Sequence, residues 1–401
     1  MSPILEGMRV VELSAYVAAP LGGATLASLG AEVVRIDPPG GGIDAHRWPL
    51  HRGQSLYWAG LNQGKRSVNV DTRSEKGQAL AARLAAEAGV VLTNLPATGW
   101  SSYERLRSLR PDLIMAVLTG NPDGSTAVDY TVNAAVGFPF VTGPEGWEGP
   151  LNHVLPAWDT LAGGLLATGL VAAELHRTRT GEGQQLTLSL TDVALWITSS
   201  LGFLAEAQLL PEPRGRFGND LYGTYAHDFR TADGRHLIVV ALTPRQWRAV
   251  VEATGLGDEM RKLEASQGLD LRLEDHRFRA RREITALLGS WIGERTLTEA
   301  GRAFDAQQVL WGPYRTFQEL VREDPRCSAL NPMLAEVDQP GVGRYLRAAS
   351  PLLFGAGDRL PPRPAPGMGA DTSAVLGSWL HLSEVEIADL AAEGVIAGNG
   401  G

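Results

Sequence analysis

Apolar and polar positions fall into alternating blocks along the first half of the chain. Met8 to Leu13 reads as a buried strand. Pro20 to Leu29 has helical spacing and stops at Gly30, and Glu32 to Asp37 reads as a second strand. The pattern then repeats. Arg66 to Val70 alternates, Lys76 to Ala88 has helical spacing, Val90 to Thr93 is a short apolar strand, Ser101 to Leu109 a helix and Leu113 to Leu118 a strand. Such alternation predicts an α/β fold, with a parallel sheet covered by helices and ligands meeting the carboxyl ends of its strands.

A different pattern runs from His153 to Asp192. After the loop HVLPAW, an apolar helical run extends from Thr160 to about His176, with Asp159 where an N-cap would stand and with basic residues, Gly181 and Gly183 at the far end. Gln184 to Leu190 alternates like a strand. Gly163, Gly164 and Gly169 weaken this helix by roughly 1 kcal/mol each against Ala, a cost that makes sense where another group approaches its backbone closely.

From about Asp220 the character changes. Tyr222 to Val240 predicts a hairpin turning at Ala232-Asp233-Gly234-Arg235, followed by a helix from Pro244 to Thr254. The charged helical stretch Leu271 to Trp291 is expected to solvate the outside of a small domain. Trp311-Gly312-Pro313-Tyr314 predicts a turn, Pro361 to Pro366 an extended strap over the surface, and Ser383 to Ala392 a last helix before a Gly-rich tail. No internal repeat is visible.

Composition narrows the function classes. A chain of 401 residues, 44% hydrophobic, can bury a full core and has room for two or three domains. Its net charge of −9 argues against a nucleic-acid surface, so negative ligands must be held by a few placed cations. Cys327 is the only cysteine, which rules out disulfides within the chain and a cysteine-based metal site. No apolar stretch reaches membrane-span length, and the amino terminus lacks the basic and apolar regions of a signal peptide; a cytoplasmic protein is expected.

Several residues are candidates for chemistry. Asp159 can be read as an ordinary cap, or as a nucleophile kept ionised by the helix dipole, with spare backbone N–H groups steadying an oxyanion. The turn after the first strand, Ser14 to Pro20, lacks G-x-G-x-x-G, although Asp37 stands where an acid would meet a ribose. No nicotinamide cofactor is therefore expected, while a pyrophosphate could still sit on a helix N-terminus. The basic turn Asn62 to Ser67 is either a solvated turn or a phosphate site, with Lys65 as the candidate. Asn94, just past a strand, is a turn residue or a second contact at the same sheet edge.

The stretches G-M-R-V-V-E-L-S (Gly7 to Ser14), L-A-S-L-G-A-E-V-V-R-I-D (Leu26 to Asp37) and N-Q-G-K-R-S-V-N-V-D (Asn62 to Asp71) resemble the class III coenzyme A transferases. So do W-D-T-L-A-G, R-T-R-T-G-E-G-Q, W-G-P-Y and the closing Ser350-Pro351-Leu352, in the family's order along essentially the whole chain. The resemblance implies a Rossmann-like large domain built from both chain ends (1–205 and 326–401), a smaller α+β middle domain (220–325) and an interlocked homodimer. It puts the family's nucleophilic aspartate on Asp159 and the coenzyme A contacts of a relative on Tyr16, Val17, Lys65 and Asn94. A phosphate-binding arginine of that relative falls on Pro38, leaving Arg35 as a substitute. The implied activity is transfer of coenzyme A between carboxylates, with coenzyme A as part of the substrate and no separate cofactor. Arg47 is the candidate cation for a free carboxylate. In the family's racemase branch a His and a Glu move an α-proton; Val128 and Thr243 stand there instead, and neither can do acid–base work.

Overall fold

A computed structural model describes residues 3–355 and 357–397. The chain divides into two compact units, one formed by residues 1–136, 154–208 and 325–401, the other by 137–153 and 209–324.

The first unit is built on six parallel strands: β1 (Arg9–Leu13), β2 (Glu32–Asp37), β3 (Arg66–Asn69), β4 (Val90–Thr93), β5 (Ile114–Thr119) and β6 (Gln185–Ser189). Their order across the sheet is β3-β2-β1-β4-β5-β6, with Val11 of β1 paired to Val34 on one side and Val91 on the other. The run-like apolar character of the inner strands follows from this, because helices cover both faces. On one face Leu80, Leu84, Val375, Leu376 and Trp379 pack on Val11, Val34 and Val91. On the other, helices Ala18–Ser28 and Ala157–Thr180 lie together, and a Cβ on Gly22 would sit 3.2 Å from the Gly163 carbonyl and 3.5 Å from Leu92. The chain's end returns to seal the β3 edge: Asp371 and Thr372, at the start of helix Thr372–Leu380, accept hydrogen bonds from the Ser67 and Asn69 amides at 2.9 and 3.1 Å.

The second unit carries a three-stranded antiparallel sheet, Leu310–Pro313 beside His236–Ala241 beside Tyr225–Arg230. Its core gathers Tyr225, Leu237, Trp247, Ile284, Leu288 and Phe304.

Three expectations need correction. Trp311 to Pro313 is strand rather than turn; Pro313 is tolerated because this is an edge strand. The charged stretch is two helices, Glu274–Arg279 and Arg281–Gly293, and it does not merely solvate the surface. Ile284, Leu288 and Ile292 are buried, and the buried Arg277 donates to the carbonyls of Leu271, Arg272 and Leu242. The proline-rich segment is not a surface strap throughout, since Ala365 is fully buried and exchanges two hydrogen bonds with the Gln339 side chain.

Candidate active site

The strand order reverses between β1 and β4, which opens a crevice at their carboxyl ends. Asn94, one residue past β4, reaches across it. Its Oδ1 accepts from the Ala15 amide at 2.8 Å, and its Nδ2 donates to the Ala15 carbonyl at 2.7 Å. The next residue, Tyr16, has a φ of 65°, a left-handed conformation that costs a non-glycine residue about 1–3 kcal/mol. Its amide donates to Asp44 Oδ2 at 3.2 Å. Val17 then opens helix Ala18–Ser28 with no side-chain cap, so first-turn amides remain as donors at the crevice. Asn94, Tyr16 and Val17 are thus brought together by the fold.

Arg47 joins them. Its guanidinium lies 5.4 Å from the centre of the Tyr16 ring and 5.1 Å from that of Tyr57, a cation held between two aromatic faces. Burial pushes the Tyr57 phenol up to about 12; Arg47 opposes this, and the carboxylates of Asp159 and Asp44 add to it. Tyr57 is therefore a neutral hydroxyl in the field of both Arg47 and Asp159.

Asp159 is not the N-cap of its helix. The helix begins at Ala157, with Pro156 at the cap, and Asp159 stands in the first turn. The cap is supplied from elsewhere: Asp129, buried, accepts from the amides of Trp158 and Asp159 at 2.8 and 3.0 Å through one oxygen. Two expected properties change as a result. These amides are occupied and do not wait for an oxyanion, and the helix dipole faces an anion that is already there. Burial, reinforced by the Asp129 charge, pushes the Asp159 carboxyl up to about 7. Asp159 is a basic, half-desolvated carboxylate rather than a depressed one.

The other two expected cations are placed differently. Arg35 is 1% exposed; its guanidinium donates to both oxygens of Asp37 at 2.8 and 3.0 Å, to Asp44 Oδ1 at 2.8 Å and to Asn62 at 3.1 Å. Lys65 has a side chain with no exposure and donates to Glu12 at 2.7 Å and Asn62 at 2.9 Å. Burial and the nearby Arg35 charge draw its ammonium down to about 8, against the pull of Glu12. Neither faces solvent with a free donor. Both are buried in ion pairs, and a phosphate on either would have to displace these partners.

Sequence reasoning missed Asp129, Tyr57 and Asp44. Asp129 lies 30 residues before the amide it caps, so only the tertiary fold reveals the pairing. Tyr57 and Asp44 flank Arg47 in a stretch with no clear period, where a short helix, Leu56–Leu61, follows a two-residue hairpin. The arrangement suits covalent chemistry: a basic carboxylate, and a neutral phenol that feels both this carboxylate and a clamped guanidinium. Among the described residues no group of His, Cys, Asp and Glu could hold a metal ion.

Comparison with known proteins identifies the family and the fold. The family model described as CoA-transferase family III matches residues 5–372. The chain is 51% identical to 2-methylfumaryl-CoA isomerase of Chloroflexus aurantiacus, over 99% of each chain. It is 28% identical to succinyl-CoA–D-citramalate CoA-transferase of the same organism, over 98% of each. Among solved structures, a CaiB/BaiF family protein from Brucella suis superposes with a TM-score of 0.78 at 25% identity, covering 94% of this chain and 100% of that one.

Proposed function

Since the chain belongs to CoA-transferase family III, we propose that it isomerises 2-methylfumaryl-CoA to 3-methylfumaryl-CoA by moving coenzyme A between the two carboxyl carbons of one dicarboxylic acid. The full-length likeness to an isomerase named for that substrate carries the reading. Asp159 is its nucleophile.

The chemistry follows from carboxylates and thioesters. An Asp159 oxygen attacks the C1 carbonyl, the C–S bond breaks, and a mixed anhydride and coenzyme A thiolate result. The thiolate attacks the aspartyl carbonyl, which frees the dicarboxylate and leaves an aspartyl thioester. The C4 carboxylate attacks that thioester and expels the thiolate. The thiolate then attacks the C4 carbonyl of the second anhydride, and Asp159 is released as a carboxylate. No general acid is required, since a thiolate leaves unaided. A basic carboxylate is the better nucleophile, which is the use of the raised Asp159 proton affinity. With the Trp158 and Asp159 amides occupied, the neutral Tyr57 hydroxyl is the oxyanion donor and the clamped Arg47 holds the free carboxylate. Coenzyme A lies along the crevice, at Tyr16, Val17 and Asn94, with its pyrophosphate at the uncapped N-terminus of helix Ala18–Ser28.

The active form is a homodimer. Supporting this, the first unit exposes large apolar side chains close together in sequence, among them Leu195, Trp196 at 57% and Leu201 at 62%.

The test supplies 2-methylfumaryl-CoA as the sole thioester with no added acid. Formation of 3-methylfumaryl-CoA at a catalytic rate is expected. Likeness to a transferase that uses two molecules favours one alternative, intermolecular transfer, in which turnover would appear only after an acceptor acid is added.

A further inference from the structure

One set of buried charged groups is not used by the reaction steps above. Asp44 is 1% exposed, and its two oxygens have separate duties: Oδ1 accepts from Arg35 at 2.8 Å, and Oδ2 accepts from the Tyr16 amide at 3.2 Å. Arg35 is itself fixed by Asp37 and Asn62, so Asp44 cannot swing away from its partner. Tyr16 needs such a hold. Its φ of 65° is disfavoured for any residue with a Cβ, and the hydrogen bonds that Asn94 makes act on Ala15, one residue earlier. Three residues after Asp44, Arg47 lies against the Tyr16 ring. One short segment therefore clamps the Tyr16 backbone with a carboxylate and covers its side chain with a guanidinium.

We propose that Asp44 is a positioning residue for substrate binding: anchored by Arg35, it holds Tyr16 in the left-handed conformation that sets the Tyr16 ring against Arg47. This rests on the reading that the crevice takes the thioester substrate. Asp44 touches no reacting atom. Its effect is on how well Tyr16 and Arg47 are arranged before substrate arrives, so its loss falls on KM more than on kcat.

A glycine adopts this φ without help, which gives a test that separates positioning from general stability. Asp44→Asn, Tyr16→Gly and the double variant are compared with the wild type for kcat and KM with 2-methylfumaryl-CoA, alongside thermal melts. In the tyrosine background Asp44→Asn should raise KM about tenfold or more, a clear loss of binding, with kcat changed less than threefold. In the Tyr16→Gly background the same substitution should change KM by less than about twofold, because no clamp is needed there. An unaltered KM in Asp44→Asn, or an equal rise in both backgrounds, overturns the proposal. If Asp44→Asn fails to fold, the double variant must fold and turn over like Tyr16→Gly; failure there also overturns it. Absence of turnover in the wild type would instead mark failure of the functional reading.

Discussion

Asp159 carries two opposing demands. As the proposed nucleophile it must be ionised, yet burial and the Asp129 charge favour its proton. The rate constant kcat/KM should therefore climb with pH through an ionisation near 7, the protonated enzyme being inactive. Replacing Asp129 by Asn removes the repelling charge and leaves burial in place, so the acid limb should move to lower pH; a limb that does not move would mean the charge is not felt. The same ionisation is linked to stability. A carboxyl that titrates near 7 when folded binds its proton more tightly than in the unfolded chain. Its penalty is absent in strong acid, grows as pH rises past the ordinary carboxylate value, and is complete above about 7. Asp159→Asn should thus lose transfer by several orders of magnitude while melting above the wild type at about pH 8, with the gap closing by about pH 4. Lys65 behaves in the opposite sense. Lys65→Met would strand the buried Glu12 carboxylate and should cost about 3–5 kcal/mol in denaturant titrations.

At the scale of elements, the glycines of the long helix divide by what they touch. A Cβ on Gly163 would lie 2.9 Å from the Ala18 carbonyl and 3.0 Å from the Leu21 Cβ, so the helix that bears Asp159 could not keep its approach to the helix that begins after Val17. Gly163→Ala should lower stability by about 1–3 kcal/mol and reduce activity with it, read from melts and initial rates on one preparation. The close approach was legible as a puzzle in the sequence, where three glycines weakened an otherwise good helix. Most of the parallel sheet was legible too, because strands buried on both faces leave short segments rich in apolar residues between helical patterns, and β2 and β4 lie where those segments predict. What escaped were features decided by distant partners. Asp159 looks like an N-cap until Asp129 is seen to take that role. Trp311-Gly312-Pro313-Tyr314 has turn composition, and only its edge position beside His236–Ala241 makes it a strand. Arg35 and Lys65 look like phosphate ligands in sequence because Asp44 and Glu12, which pair with them, lie on other parts of the chain, although Asp37, the second partner of Arg35, lies on β2 itself.

For the whole molecule, the proposed dimer and the proposed reaction are tested separately. Sedimentation of the wild type should give the mass of two chains, and Trp196→Asp, which puts a charge on an exposed apolar surface, should shift the population toward one chain. An unchanged mass would place the contact elsewhere on the molecule. The central claim is that coenzyme A moves within a single substrate molecule, the free dicarboxylate staying bound between the two half-reactions. The most direct measurement is to run the reaction on unlabelled 2-methylfumaryl-CoA in a large excess of isotopically labelled free acid and to analyse the 3-methylfumaryl-CoA by mass. Intramolecular transfer predicts product with essentially no label. Product that carries the label in proportion to the added acid would contradict it.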